Sequence, residues 1–131
     1  MIKKEVWVEF SEEASNDYIE LQKQVLSEKE QGKENSFNMQ LLKAIEREKN
    51  NLKINPQVGT HIPQKYIPKE TIERYGTYRL WKIDLVGYWR LIYTIIGDEV
   101  KIITFILEFM DHKKYNKLFG DTIMLLIISR W

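Results

Sequence analysis

His112 stands in the run Asp111-His112-Lys113-Lys114-Tyr115, which sets an imidazole and a phenol around two ammonium groups within five positions. It lies in no apolar run and near no metal partner, so a functional reading fits it better than a structural one. Two further cations stand upstream on β-prone runs, Lys82 in Trp81-Lys82-Ile83-Asp84 and Arg90 in Tyr88-Trp89-Arg90-Leu91. Side chains alternate along a strand, so Lys82 shares a face with Asp84, and Arg90 shares one with Tyr88 and Ile92. Whether Lys82 and Arg90 meet depends on the hairpin register, which these runs leave open. Each also has a plainer role, Lys82 as a surface lysine and Arg90 as the partner of Asp84 across the hairpin. His61 is a lone loop histidine to which no chemistry attaches. With two histidines and no cysteine, a zinc site would have to recruit carboxylates, and no metal site is expected. No Ser/His/Asp arrangement, phosphate-binding glycine loop or dinucleotide fingerprint occurs.

A sheet must carry the two cations. Tyr78 to Leu85, Tyr88 to Ile96 and Val100 to Phe109 are β-branched and aromatic runs, joined at Val86-Gly87 and Gly97-Asp98. Two tight turns in succession predict an antiparallel meander. Its strands are apolar on both faces, so one face carries helices and the other is covered or used. Ahead of it, Val6 to Phe10 predicts a first strand. Ser11 then caps a helix over residues 11–30, with Glu12 and Glu13 in the turn where the helix dipole favours acids. Ala14, Tyr18, Leu21 and Val25 form its apolar stripe. Asn35 or Ser36 opens a second helix over residues 35–53, with Phe37, Leu41, Ile45 and Leu52 on its buried face. Pro56, Gly59, Pro63 and Pro68 forbid a long helix or a central strand between them. Pro68 can open a short turn, Lys69 to Tyr75, with Gly76 as its left-handed cap. Asp111 to Gly120 predicts a short basic helix. The expected class is α+β, an antiparallel sheet of about four strands with the N-terminal helical hairpin on one face.

The chain has 44% hydrophobic and 30% charged residues, ordinary for a globular protein. The absence of cysteine removes disulfides and thiolate sites and fits a reducing cytoplasm. Met1 to Glu5 carries charge with no apolar run behind it, so no signal peptide is expected, and no stretch reaches the ~20 apolar residues of a membrane span. The net charge of +1 hides an asymmetry: residues 1–59 hold 9 Lys/Arg against 11 Asp/Glu, and residues 60–120 hold 10 against 7. A nucleic-acid partner would therefore meet the second half.

The passage Trp81-Lys82-Ile83-Asp84-Leu85-Val86-Gly87-Tyr88-Trp89-Arg90-Leu91-Ile92-Tyr93 resembles the RelE/ParE superfamily of toxin–antitoxin toxins. There, too, a Lys-bearing strand, a glycine turn and an Arg-Leu-aliphatic-Tyr strand follow one another. Val100-Lys101-Ile102-Ile103 and the closing Asp111 to Tyr115 cluster extend the likeness, which runs over roughly residues 5–120. Many members of that superfamily are ribosome-dependent endoribonucleases that cut messenger RNA; others poison DNA gyrase, and some have no known toxicity. The resemblance implies the toxin of a type II module, needing no cofactor, with a cognate antitoxin, the ribosome and mRNA as partners. By the same resemblance Lys82 falls at a proton-transfer position and Arg90 at a phosphate clamp, a role that suits its forked guanidinium. His112 and Tyr115 fall where an acid or a stacking ring is supplied, and Lys65, Lys69, Arg79, Lys113 and Lys114 are candidates for RNA contact. The chain departs from the pattern at Asp84, where RelE has a second lysine; an acid there would repel phosphate or pair with Lys82. The alternative implied is a non-catalytic protein of the same fold, gyrase-directed or antitoxin-binding only.

RelE-like chains finish near Phe119-Gly120, so residues 1–120 are expected to form the toxin domain and residues 121–131 an added tail. Thr122 to Ile128 is uncharged and β-prone, an aggregation hazard if exposed. It is expected to pair as a strand, with its own sheet edge or with the tail of a second copy.

Overall fold

Alternating aromatic and β-branched residues favour extended backbone, and Glu5–Phe10 forms strand β1. The computed structural model describes residues 4–98 and 100–120. The Ser11 hydroxyl accepts the Ala14 N–H at 3.0 Å and opens α1, Glu12–Glu30. Ser36 does the same for α2, Phe37–Ile54, accepting from the Met39 N–H at 3.2 Å. Thr60–Ile62 forms β2, and Lys69–Tyr75 forms α3 between Pro68 and Gly76, whose φ of 70° ends it. Three longer strands follow: β3, Leu80–Asp84; β4, Arg90–Gly97; and β5, Lys101–Met110. The short helix α4, His112–Tyr115, runs on into a wider π-type turn over Asn116–Gly120.

The strands form one sheet in the order β1-β5-β4-β3-β2. It differs from the expected four-stranded antiparallel sheet in two ways. β1 lies parallel to β5, Val8 opposite Thr104, an alignment that the long connection through two helices permits. β2 is a fifth strand, antiparallel to β3 at the far edge. Gly59 and Pro63 leave only three residues for it, and an edge position tolerates the flanking proline. Gly59 is needed there, because a Cβ would lie 2.6 Å from the Lys82 carbonyl oxygen.

The two long helices cover one face as the apolar stripes predict, with Leu21, Leu41, Ile45 and Leu52 packed on Ile83, Leu91, Tyr93 and Ile106. Phe37, expected in that core, is exposed and lies over Gly87, where a Cβ would come within 2.5 Å of its ring. The opposite face carries a second core, Leu80, Ile92 and Leu107 under Ile67, Tyr115 and Phe119. Helical segments therefore lie on both faces, not one. The pairing of β4 with β5 shifts between Ile92 and Tyr93, which face Glu108 and Ile106. Leu107 is left without a partner, a bulge.

Tyr93 is fully buried, donating to the Pro56 carbonyl at 2.7 Å and accepting the Gly59 N–H at 3.1 Å. Burial pushes its phenol up to about 12 against the opposing pull of the Gly59 bond. A raised folded pKa means the folded state holds the proton longer. Its stabilising contribution is complete below pH 10 and lost as pH rises towards 12. Unfolding in urea should therefore show a loss of about 3 kcal/mol across that window from this group. Tyr75 and Tyr115, also raised by burial, add to it. Tyr93→Phe should reduce the loss; a stability curve flat through the window would contradict this assignment.

Among the described residues no helix is long and apolar enough to cross a membrane. The expected strand over residues 122–128, and any contact between copies through it, lie outside the described residues.

Candidate functional site

The β3–β4 register sets Asp84 opposite Arg90 and Lys82 opposite Ile92. Because side chains alternate, Lys82, Asp84 and Arg90 emerge together on the face away from α1 and α2. Asp84 lies between the cations, its Oδ1 3.2 Å from Lys82 Nζ and 3.1 Å from Arg90 Nε. The pairing across the hairpin and the pairing with Lys82 thus both occur. The Asp84 carboxylate is 64% exposed, and ion pairs at such sites contribute about 0–1 kcal/mol, so an incoming phosphate can displace it. The Arg90 contact is not aligned as a hydrogen bond, and its Nε–H is buried without an acceptor.

Tyr115 rises from α4 beneath both cations, with the Arg90 guanidinium 4.8 Å and Lys82 Nζ 5.8 Å from its ring centroid. Cations over an aromatic face are held by the ring's quadrupole. Burial pushes the Tyr115 phenol up, the Arg90 charge opposing, so it stays protonated through the neutral range. Lys82, Arg90 and Tyr115 are therefore brought together.

His112 is not among them. It is exposed on the first turn of α4, where the Asp111 carboxylate caps the Lys114 N–H at 2.9 Å. Its ring meets that of Tyr88 at 6.0 Å between centroids, and the Tyr88 carbonyl accepts Arg90 Nη1 at 2.9 Å. His112 thus reaches the cluster through Tyr88. Lys65, Lys69, Arg79 and Lys113 are exposed outside the cluster, Lys65 over the Tyr66 ring and Arg79 beside that of Tyr78. Lys114, a candidate for RNA contact, turns instead onto Glu108 and Glu13.

Glu108 is the charged residue that sequence reasoning passed over. It is 0% exposed, and its Oε1 accepts from Arg74 Nε at 3.1 Å, Arg74 Nη2 at 2.9 Å and the Tyr75 hydroxyl at 2.8 Å, while Lys114 pairs with Oε2. Burial works against the charges of Arg74 and Lys114, and their bonds to Glu108 outweigh it, holding both pKa values above the ordinary range. The signal was available: an acid inside Ile106-Leu107-Glu108-Phe109-Met110 must find partners if the run is buried. This network ties α3 and α4 to β5 and so places Tyr115.

A cleft of about 440 Å³ opens between the long helices and the β4–β5 end, walled by Leu21, Trp89 and Phe109, and holds neither Lys82 nor Arg90. Its charged lining is mostly acidic, Asp17, Glu20 and Asp111 against the single cation Lys114, so it offers no cationic set for a phosphate. Among the described residues no three His, Asp or Glu side chains gather as a metal would need.

No protein-family model and no curated protein matches this sequence. A solved structure does match: the chain is similar in fold to the YoeB/ParE toxin from Agrobacterium tumefaciens, with a TM-score of 0.51 at 13% identity. The match covers 81% of this chain and 98% of that one. The likeness to that toxin is one of fold.

Proposed function

We propose that this chain, with the fold of a YoeB/ParE toxin, is the toxin of a type II toxin–antitoxin module and cleaves messenger RNA on the ribosome. The observation that carries the reading is the cluster of Lys82 and Arg90 over Tyr115, beside the exposed Asp84 carboxylate. Metal-free cleavage of RNA needs an acceptor for the 2′-hydroxyl proton, cations for the charge that builds on the phosphorane, and a donor for the leaving 5′-oxygen. In the cluster Asp84 is the acceptor, Arg90 faces the phosphorane, and the Lys82 ammonium donates to the 5′-oxygen. The 2′-oxygen bonds to phosphorus as the bond to the 5′-oxygen breaks, giving a 2′,3′-cyclic phosphate and a 5′-hydroxyl. His112, Lys113 and the outlying cations Lys65, Lys69 and Arg79 would then follow the RNA backbone. Such a protein works in the cytoplasm, on residues 1–120, and is held inactive by an antitoxin whose acidic, partly disordered segment orders over the cationic face.

One observation favours a second reading, a non-catalytic binder directed at gyrase or at the antitoxin alone: Asp84 engages both cations in the free protein. Induced expression with and without the adjacent open reading frame separates the two. The toxin reading expects growth arrest rescued by the neighbour, with messages cut inside their coding regions. Arrest with intact messages would replace the enzyme by a gyrase-directed binder; growth without arrest would end the toxin reading and leave a chain that binds the antitoxin alone.

A further inference from the structure

Tyr88 occupies a backbone conformation that its side chain disfavours. The turn between β3 and β4 runs Val86-Gly87-Tyr88-Trp89, and both central residues have a φ of 64°. Mirror-image hairpin turns of this kind take Asn-Gly or Gly-Gly, because at positive φ a Cβ crowds the backbone. Gly87 meets that demand and fits beneath Phe37. Tyr88 does not, and the residue is 74% exposed, so little buried apolar surface offsets the strain. Backbone strain of this kind clusters at functional sites.

The surroundings indicate the use. The Tyr88 ring meets the exposed His112 ring edge-on, at an interplanar angle of 66°. Its carbonyl receives Arg90 Nη1. An open aromatic pair beside a guanidinium is the two-part arrangement that takes a nucleotide, since unpaired bases stack on rings while the backbone sits by the cation. We infer that Tyr88 and His112 form a stacking site for one unpaired base of single-stranded RNA whose adjoining phosphate lies at Arg90. The inference rests on the RNA-cleaving reading and adds to it the group that grips the base. Stacking tolerates any base, so the site contributes affinity and position rather than sequence choice.

The test is equilibrium binding of a labelled, cleavage-resistant 2′-O-methyl oligonucleotide across a series of salt concentrations. Tyr88→Ala should weaken binding about 10-fold and leave the salt dependence unchanged, as expected for lost stacking. Tyr88→Phe should bind as the parent does. Arg90→Ala should instead flatten the slope of log K against log salt by about 0.7, one phosphate contact on a single strand. Tyr88→Gly supplies the readout that a structural role would not give: it should weaken binding like Tyr88→Ala yet raise the melting temperature by about 3 °C, because the left-handed strain is relieved. The inference is overturned if the parent does not bind the oligonucleotide, if Tyr88→Ala binds within about twofold of it, or if Tyr88→Gly melts lower. It is overturned equally if Tyr88→Ala weakens a protein partner and spares RNA. Message cleavage on ribosomes is scored separately. A parent that cuts messages while its RNA affinity ignores Tyr88 loses only the stacking site; one that binds through Tyr88 without cutting loses only the nuclease.

Discussion

Arg90→Ala is expected to lower message cleavage about 100-fold, the usual loss when one partner of the transition-state charge is removed. The phosphorane carries more charge than the phosphate it forms from, so the guanidinium stabilises the transition state more than bound RNA, and the loss should fall mainly on turnover, beyond the smaller loss of RNA affinity that one phosphate contact carries. Stability should change far less. Arg90 is 20% exposed and its partner Asp84 is 64% exposed, so their ion pair contributes little, and the remaining loss is the contact of its guanidinium with the Tyr115 ring. Arg90→Lys should recover only part of the rate, since an ammonium is a point charge where the guanidinium is a fork. Single-turnover cleavage on programmed ribosomes beside a thermal melt makes the comparison. A folded Arg90→Ala protein that cuts at the parental rate would remove Arg90 from the mechanism.

Glu108→Ala is expected to cost about 3 kcal/mol of folding stability, at the low end for breaking a buried ion pair. Three hydrogen bonds end on Oε1 and an ammonium on Oε2, so the substitution strips partners from Arg74, Tyr75 and Lys114 at once. The low end applies because Arg74 and Lys114 are 37% and 41% exposed and both can turn to Glu13. Glu108→Gln, which keeps the shape and loses the charge, should fall between. Urea unfolding monitored by the tryptophans measures both. Since Lys114 belongs to the helix that carries Tyr115, cleavage should decline with stability; a Glu108→Ala protein as stable as the parent would show that the network contributes nothing net to folding.

The helices were legible because their determinants are local. Ser11 and Ser36 lie three residues before the N–H groups they cap, and the stripe through Ala14, Leu21 and Val25 repeats at the helical period. Pro68 and Gly76 likewise bracket α3 by their own backbone preferences. Gly87 and Gly97 marked the meander, since a turn depends on a few consecutive residues. The second face was not legible. The parallel entry of β1, the three-residue β2 and the bulge at Leu107 are decided by partners far away in sequence, and a pattern of period two is the same whichever strand lies alongside.

The candidate site divides in the same way. The sequence by itself supplied Lys82, Arg90, Tyr115 and His112, and the alternation that puts Lys82 with Asp84 on one strand face. Only the tertiary structure decided that Asp84 opposes Arg90 and that Tyr115 lies under both cations. It also left His112 beside Tyr88 and turned Lys114 onto Glu108. The physical reason is register. Sliding β3 against β4 by one residue would keep every local preference and send Lys82 and Arg90 to opposite faces. What prevents the slide is burial on both sides of the sheet at once, Ile83 and Leu91 in one core and Leu80 and Ile92 in the other.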